Sequence, residues 1–350
     1  VVVALRDGRV LIAGGAQPGH FAEVFDPATG RSTPTAPPPT EVAEPRMALL
    51  RDGRVLIVGW VYRDQASSVA GQSVGLVFDP RSDAYTSTGP MTEPHFTPTL
   101  VTLSDGRVLV TGGVANQASA ELRTAEIFDP ATGRYAPTGS MTSARIGHAM
   151  TLLSDGHVLV VGCPAGDNSC LGTWAADVYD PASGTFTPTS GQLRSRSSPA
   201  ALLLPDGRVL TFGLRQQDGL RFGRHGIDTI SASFFDPRDG TFTAAPALPH
   251  TISTAALLPD GLVSVTGTWG LSDGSTSAAG TTDFWFGLYD PLTGETRTSL
   301  DPLTGQAGLA GDTNEAYSAA AVLPDGRVVL VGAVDSQAAV VPANSISIFK

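Results

Sequence analysis

The stretch Leu152-Leu153-Ser154-Asp155-Gly156-His157-Val158-Leu159-Val160-Val161-Gly162 (LLSDGHVLVVG, 152–162) decides the fold. An apolar run, two turn residues and a second apolar run make a hairpin, and Asp-Gly between such runs predicts a two-residue type I′ turn with positive φ at both central positions. The same frame recurs at Asp7-Gly8, Asp52-Gly53, Asp105-Gly106, Asp206-Gly207, Asp260-Gly261 and Asp325-Gly326. The aspartates stand 45 to 65 residues apart. A period near fifty with this content indicates a propeller or an array.

A second signature follows the first six hairpins: AEVFDPATG (22–30), LVFDPRSD (76–83), AEIFDPATG (125–133), ADVYDPASG (176–184), SFFDPRDG (233–240) and GLYDPLTG (287–294). An alternating strand ends at Asp-Pro, which cannot continue a ladder, and a glycine often closes the turn. A further short strand comes next, commonly with an aromatic residue: Tyr85, Tyr135, Phe186, Phe242. One repeat is therefore four antiparallel strands, A to D. Runs such as VLVTG (108–112) and VLVVG (158–162) are apolar at nearly every position, which implies burial on both faces, as in blades stacked around an axis. The expected fold is all-β, a seven-bladed β-propeller of four-stranded antiparallel blades in one domain over 1–350. Residues 1–5 read as the last half of a strand A, and ANSISIFK (343–350) as a strand C without its D. The expectation is a parent chain that extends beyond one or both of these ends, with the missing D strand most simply upstream of Val1.

The run ARIGHAMTLLSDGHVLVVG (144–162) followed by VYDPASGTFTPTS (178–190) resembles the Kelch repeat, in its bacterial, galactose-oxidase-like variety. The resemblance spans the chain and speaks to fold, since this architecture hosts unrelated activities. It departs from the family where strand B ends. The usual glycine pair is intact at Gly14-Gly15 and Gly112-Gly113, whereas Trp60, Cys163, Leu214, Thr268 or Ala333 fills the second place elsewhere. The resemblance also brings a copper radical oxidase into view. That activity needs a Tyr-His pair at the start of an inner strand, and no Tyr-His dipeptide occurs here, although Tyr317 occupies a comparable place.

Composition narrows the partners. A formal net charge of −11 argues against nucleic acid, which requires a basic stripe. No uninterrupted apolar run is long enough to span a bilayer. Lys350 is the single lysine, so cationic contacts fall to arginine forks. Cys163 and Cys170, in CPAGDNSC, suit a disulfide-clipped loop in an oxidising, extracellular or secreted setting.

Antiparallel order puts the tight A–B and C–D turns at one end of every blade and the irregular B–C and D–A connections at the other. Long, dissimilar loops on a rigid scaffold are where binding resides. Ten residues before each Asp-Gly aspartate stand Val42, His95, Arg145, Arg196, His250 and Glu315. Two positions further on come Glu44, Thr97, Gly147, Ser198, Ile252 and Tyr317, and His148 lies seven before Asp155. These positions begin the innermost strand and are expected at the mouth of the central channel. His95, His250, Tyr317 and Glu315 are the acid–base candidates, and Arg145, Arg196, Glu44 and His148 the ligand-binding ones. The Kelch resemblance gives Arg145 and His148 the alternative role of bracing neighbouring blades. The B–C loops add Trp60, Tyr62, Arg63, Arg215, Arg221, Arg224 and Trp269 as ligand contacts, suited to a small polar or anionic ligand such as an acidic sugar. No cofactor is predicted; His95, His148 and His250 with Glu315 are a donor set that a divalent metal would accept. The leading expectation is a small-ligand pocket at the central mouth of an enzyme working on a carbohydrate or other polar or anionic metabolite by lyase- or hydrolase-like acid–base chemistry; a non-catalytic module that binds a glycan, or a protein partner on the loop face, is the competing reading.

Overall fold

A computed structural model describes residues 1–14, 21–40, 42–64, 67–115, 121–165, 173–194, 197–214, 230–248, 252, 254–269, 283–298, 315–334 and 346–349. Six four-stranded antiparallel sheets follow one another, each in the order A-B-C-D. Blade 1 holds Val2–Ala4, Val10–Ala13, Ala22–Asp26 and Arg31–Pro34. Blade 2 holds Ala43–Leu49, Val55–Asp64, Ser67–Asp79 and Ala84–Ser87. Blade 3 comprises Thr99–Thr102, Val108–Thr111, Ala125–Asp129 and Arg134–Pro137, and blade 4 Ala149–Leu152, Val158–Val161, Thr173–Asp180 and Thr185–Arg194. Ser197–Leu203, Val209–Leu214, Ile230–Asp236 and Thr241–Leu248 form blade 5. Thr254–Leu257, Val263–Trp269, Asp283–Tyr289 and Thr296–Thr298 form blade 6. The last sheet has three strands, Glu315–Val322, Val328–Val334 and Ile346–Phe349. The expectation of seven four-stranded blades is thus corrected to six: among the described residues nothing pairs with the outer side of Ile346–Phe349.

The A strands of successive sheets lie side by side and close a ring, with Val2–Ala4 touching both Ala43–Leu49 and Glu315–Val322. The fold is an all-β propeller. Apolar B strands explain why the sheets stack. Val108, Leu109 and Val110 have no exposed surface, and neither do Val158, Leu159, Val160 and Val161. Each inter-blade seam is an apolar layer: Leu56, Val58 and Val77 of blade 2 pack on Val108, Val110 and Phe128 of blade 3. The ring closes with the same chemistry, Val10, Ile12 and Phe25 meeting Val329 and Val331. Strand-C and strand-D aromatics pair within blades, with centroids 4.9 Å apart for Phe128–Tyr135 and 4.7 Å for Tyr179–Phe186. Such pairs hold the outermost strand, which is otherwise mostly exposed.

The Asp-Gly hairpins differ from the expected type I′ form. Only the glycine is left-handed, at φ 86° for Gly8 and 94° for Gly106, while no Asp-Gly aspartate has positive φ. Gly8 N–H donates to Leu5 O and Leu5 N–H to Arg9 O, which marks a three-residue loop ending in a glycine bulge. The aspartate adopts ordinary backbone because its carboxylate caps the turn: Asp7 Oδ1 accepts from Arg9 N–H at 3.0 Å. The following arginine then ties blades together, as Arg9 donates to Pro80 O and Arg54 to Pro130 O.

Candidate functional site

The two ends of the sheets differ as the antiparallel order requires. At the B–C and D–A end, blade 2 projects a two-stranded ribbon. Its strands stay paired beyond Gly59, through Tyr62↔Ala70 to Asp64↔Ser67. Strand B of blade 3 stops at Thr111. Tyr62 and Arg63 therefore stand on the outer reach of that ribbon, and their side chains lie outside the described ones. Trp60 sits at its foot and is buried, edge-on to Phe96 of the next linker with centroids 6.0 Å apart at 89°.

The D–A linkers share an unusual backbone. Glu44 (φ 46°), Thr97 (φ 52°) and Gly147 (φ 60°) occupy equivalent places and are all left-handed. A β-branched residue in that region is an outlier costing about 1–3 kcal/mol, and such strain collects at functional sites. Glu44 is exposed. The hydroxyl of Thr97 and Nδ1 of His148 are both buried with no hydrogen-bond partner.

The cationic column turns into the blades. Arg145, 1% exposed, donates through Nη2 to Asp177 at 3.0 Å and through Nη1 to Gly162 O. Asp177 also accepts the Thr142 hydroxyl at 2.6 Å. His95, with no exposed surface, sets Nδ1 2.8 Å from Gly112 O and Nε2 3.6 Å from Glu126 Oε1, an ion-pair distance too long for a hydrogen bond. Glu126 accepts the Thr92 N–H at 2.9 Å, the Thr92 hydroxyl at 2.7 Å and the Glu93 N–H at 2.9 Å. Burial works against its ionisation, but His95, Thr92 and Glu93 together hold its carboxyl below the usual range. In blade 2 the same two places are apolar: Val42 and Leu76 share one core cluster. His148 bridges blades, Nε2 meeting the Thr111 hydroxyl of blade 3 at 2.7 Å. Burial, reinforced by the Arg145 charge, pushes its pKa down to about 3, so the ring is neutral. The bracing role implied for His148 is visible in that bond, while Arg145 braces strands B and C of its own blade.

Arg196, Arg215, Arg221, Arg224 and His250 lie outside the described residues. Trp269 pairs with Asp283, Glu315 with Val334 and Tyr317 with Gly332, all at the loop end of their strands, and their side chains lie outside the described ones. The structure thus brings His95, Arg145 and His148 to neighbouring linkers. Glu126, Asp177, Thr92 and Thr142 are the partners that sequence reasoning missed. A signal existed: apolar, imidazole and guanidinium groups at 42, 95 and 145 are matched by leucine, glutamate and aspartate at 76, 126 and 177. Cys163 is disulfide-bonded, and the sequence holds one other cysteine, Cys170, outside the described residues.

No family model matches the sequence, and no curated protein does. A solved structure of a fungal alcohol oxidase of the AA5 family, in complex with copper, is similar with a TM-score of 0.65. The match has 16% sequence identity and covers 96% of this chain and 70% of that one. That likeness is one of fold. Among the described residues no group of three or more His, Cys, Asp or Glu is placed to hold a metal. His95 and His148 each spend a ring nitrogen on Gly112 O and Thr111 respectively. The described donors do not fit a copper centre.

Proposed function

We propose that this chain is a Kelch-type propeller forming one domain over 1–350, and that it binds a small polar or anionic ligand of carbohydrate type. The loop face is the binding face. The observation that carries the reading is the contrast between the ends of the sheets. One end repeats the same glycine-closed turn; the other carries the blade 2 ribbon and the left-handed linkers at Glu44, Thr97 and Gly147. Strain and projecting strands are stability costs that a scaffold without a task on that face has no reason to carry. Recognition is favoured over turnover by the fate of the first acid–base candidate: the ring of His95 is closed to solvent and faces protein groups on both nitrogens. Acid–base chemistry would then fall to His250, Tyr317 and Glu315, and ligand contacts to Tyr62, Arg63, Arg196, Arg215, Arg221, Arg224 and Trp269. The disulfide at Cys163 supports an extracellular setting.

The test is a glycan array with acidic and neutral sugars, run alongside metal analysis of the purified chain. Retention of an acidic sugar, weakened about tenfold or more by Arg63→Ala at unchanged Tm, is expected for loss of a charge-assisted contact. Absence of any retained glycan, together with capture of a protein through the same face, would replace this reading by the protein-binding one.

A further inference from the structure

Blades 3 and 4 build the same clamp from different residues. In each, a side chain ten positions before the Asp-Gly aspartate reaches two acceptors: the carbonyl of the glycine after strand B and a carboxylate on strand C. Arg145 reaches Gly162 O and Asp177; His95 reaches Gly112 O and Glu126. The lengths compensate, a long guanidinium with a short aspartate and a short imidazole with a long glutamate. A threonine three residues upstream of the cation completes both, Thr142 on Asp177 and Thr92 on Glu126.

The difference is that an arginine is always charged, whereas a histidine titrates. A carbonyl oxygen only accepts, so Nδ1 of His95 must carry a proton to bond Gly112 O. Nε2 then faces the Glu126 carboxylate without any hydrogen-bond partner. Neutral, it would aim a lone pair at an anion inside the protein. Protonated, it completes the pair that Arg145 makes permanently. We infer that His95 is a proton-operated latch: doubly protonated, it adds an ion pair to the Thr92 and Glu93 bonds that hold the blade 3 linker (91–98) on Glu126, and loss of the Nε2 proton loosens that hold.

The groups around the ring support this assignment. Glu126 faces it from strand C, and the Ser73 hydroxyl of blade 2 accepts its backbone N–H at 3.3 Å. On the linker itself, the Glu93 carboxylate is occupied by the Thr124 hydroxyl at 2.9 Å. Beyond Gly112 stand His148, kept neutral, and Arg145, paired with Asp177. Among the described residues, Glu126 is the one anion at ion-pair distance from the ring. The latched segment includes the left-handed Thr97 and Phe96, on which Trp60 rests, so its loosening would alter the loop face at the foot of the blade 2 ribbon. The inference stands whatever ligand that face binds.

The experiment is nitrogen-15 NMR of the histidine rings in the full chain, with amide hydrogen exchange of both linkers across pH 6 to 9. Both His95 nitrogens are expected to be protonated at pH 6. Above the His95 titration, protection of residues 91–98, corrected for intrinsic exchange, is expected to fall about tenfold or more relative to 141–148, whose arginine does not titrate. Glu126→Gln is expected to abolish that difference and make Nε2 lose its proton at lower pH. The His95 signals are assigned by their disappearance in His95→Asn. Should that variant not fold, the signals that move in Glu126→Gln and stay put in His157→Gln identify them. A ring protonated on Nδ1 alone at pH 6, or equal pH responses of the two linkers, overturns the latch.

Discussion

Arg145 and Asp177 meet 3.0 Å apart with 1% and 0% of their side-chain surface exposed, inside one blade. A charge pair so placed contributes little net stability against an apolar replacement, yet is costly to break, because the remaining charge is stranded.

Asp177→Ala is therefore expected to destabilise the protein by about 3–5 kcal/mol, and Arg145→Ala by a similar amount. The double variant Arg145→Val with Asp177→Leu copies the Val42 and Leu76 pair of blade 2, which packs in one cluster. It should recover most of that loss. Urea unfolding of the two single variants and the double one, read as a mutant cycle, checks the claim, and additive losses would refute it.

His148 gives a pH dependence of definite sign. Its folded pKa is pushed down to about 3 from an ordinary 6.5, through burial and then the Arg145 charge. The unfolded chain thus binds a proton that the folded chain refuses. Stability from this group is complete above about pH 6.5 and is lost as the pH falls toward 3, by up to about 1.4 kcal/mol per pH unit. Tm measured from pH 7 to pH 4 should fall more steeply for the natural protein than for His148→Gln, which keeps a polar group opposite Thr111. Parallel curves would show that the ring is not the neutral group described.

The repeat was legible in the sequence because turn chemistry is local. Asp7-Gly8 and its six counterparts declare their hairpins without reference to anything distant, even though the turn type differs in detail. The ring of A strands followed from the number of hairpins, and the buried B strands from their unbroken apolar runs. What local reading could not settle was the direction of a side chain at the start of strand A. His95 and Arg145 share one irregular column, which by itself reads as a row of mouth residues, with bracing as the alternative for Arg145. Their variation instead follows the strand-C partner some thirty residues downstream, and a contact across a blade becomes visible only when the two columns are set side by side. His250 and the side chains of Glu315 and Tyr317 lie outside the described ones, so the sequence column alone speaks for them.

Gly113 should tolerate substitution worst among the glycines of blade 3. Its φ is +83°, and a Cβ there would collide with the Phe96 carbonyl oxygen and crowd Thr97. At Gly133, also left-handed at +68°, a Cβ would meet nothing within 4 Å. Gly133→Ala is expected to cost about 1–2 kcal/mol, the left-handed penalty alone. Gly113→Ala adds displacement of the linker and should lose about 1–3 kcal/mol more. Equal losses in Tm or urea midpoint would mean that the close approach to Phe96 carries no weight.

Trp60 and Tyr62 separate the structural foot of the blade 2 ribbon from its outer reach. Trp60 is 5% exposed and edge-on to Phe96, so Trp60→Ala removes a large buried ring from the seam between blades 2 and 3. Its expected cost is about 3–5 kcal/mol, with loosening of the blade 3 linker. Tyr62 pairs with Ala70 beyond the four-stranded part of the blade, and Tyr62→Ala is expected to leave stability within about 0.5 kcal/mol. If the ribbon contributes to ligand recognition, Tyr62→Ala weakens retention on the glycan surface at constant Tm, whereas Trp60→Ala lowers both. A Tyr62→Ala protein that melts early and binds normally would reverse the assignment, making Tyr62 a packing residue and leaving the ribbon without a share in the binding face.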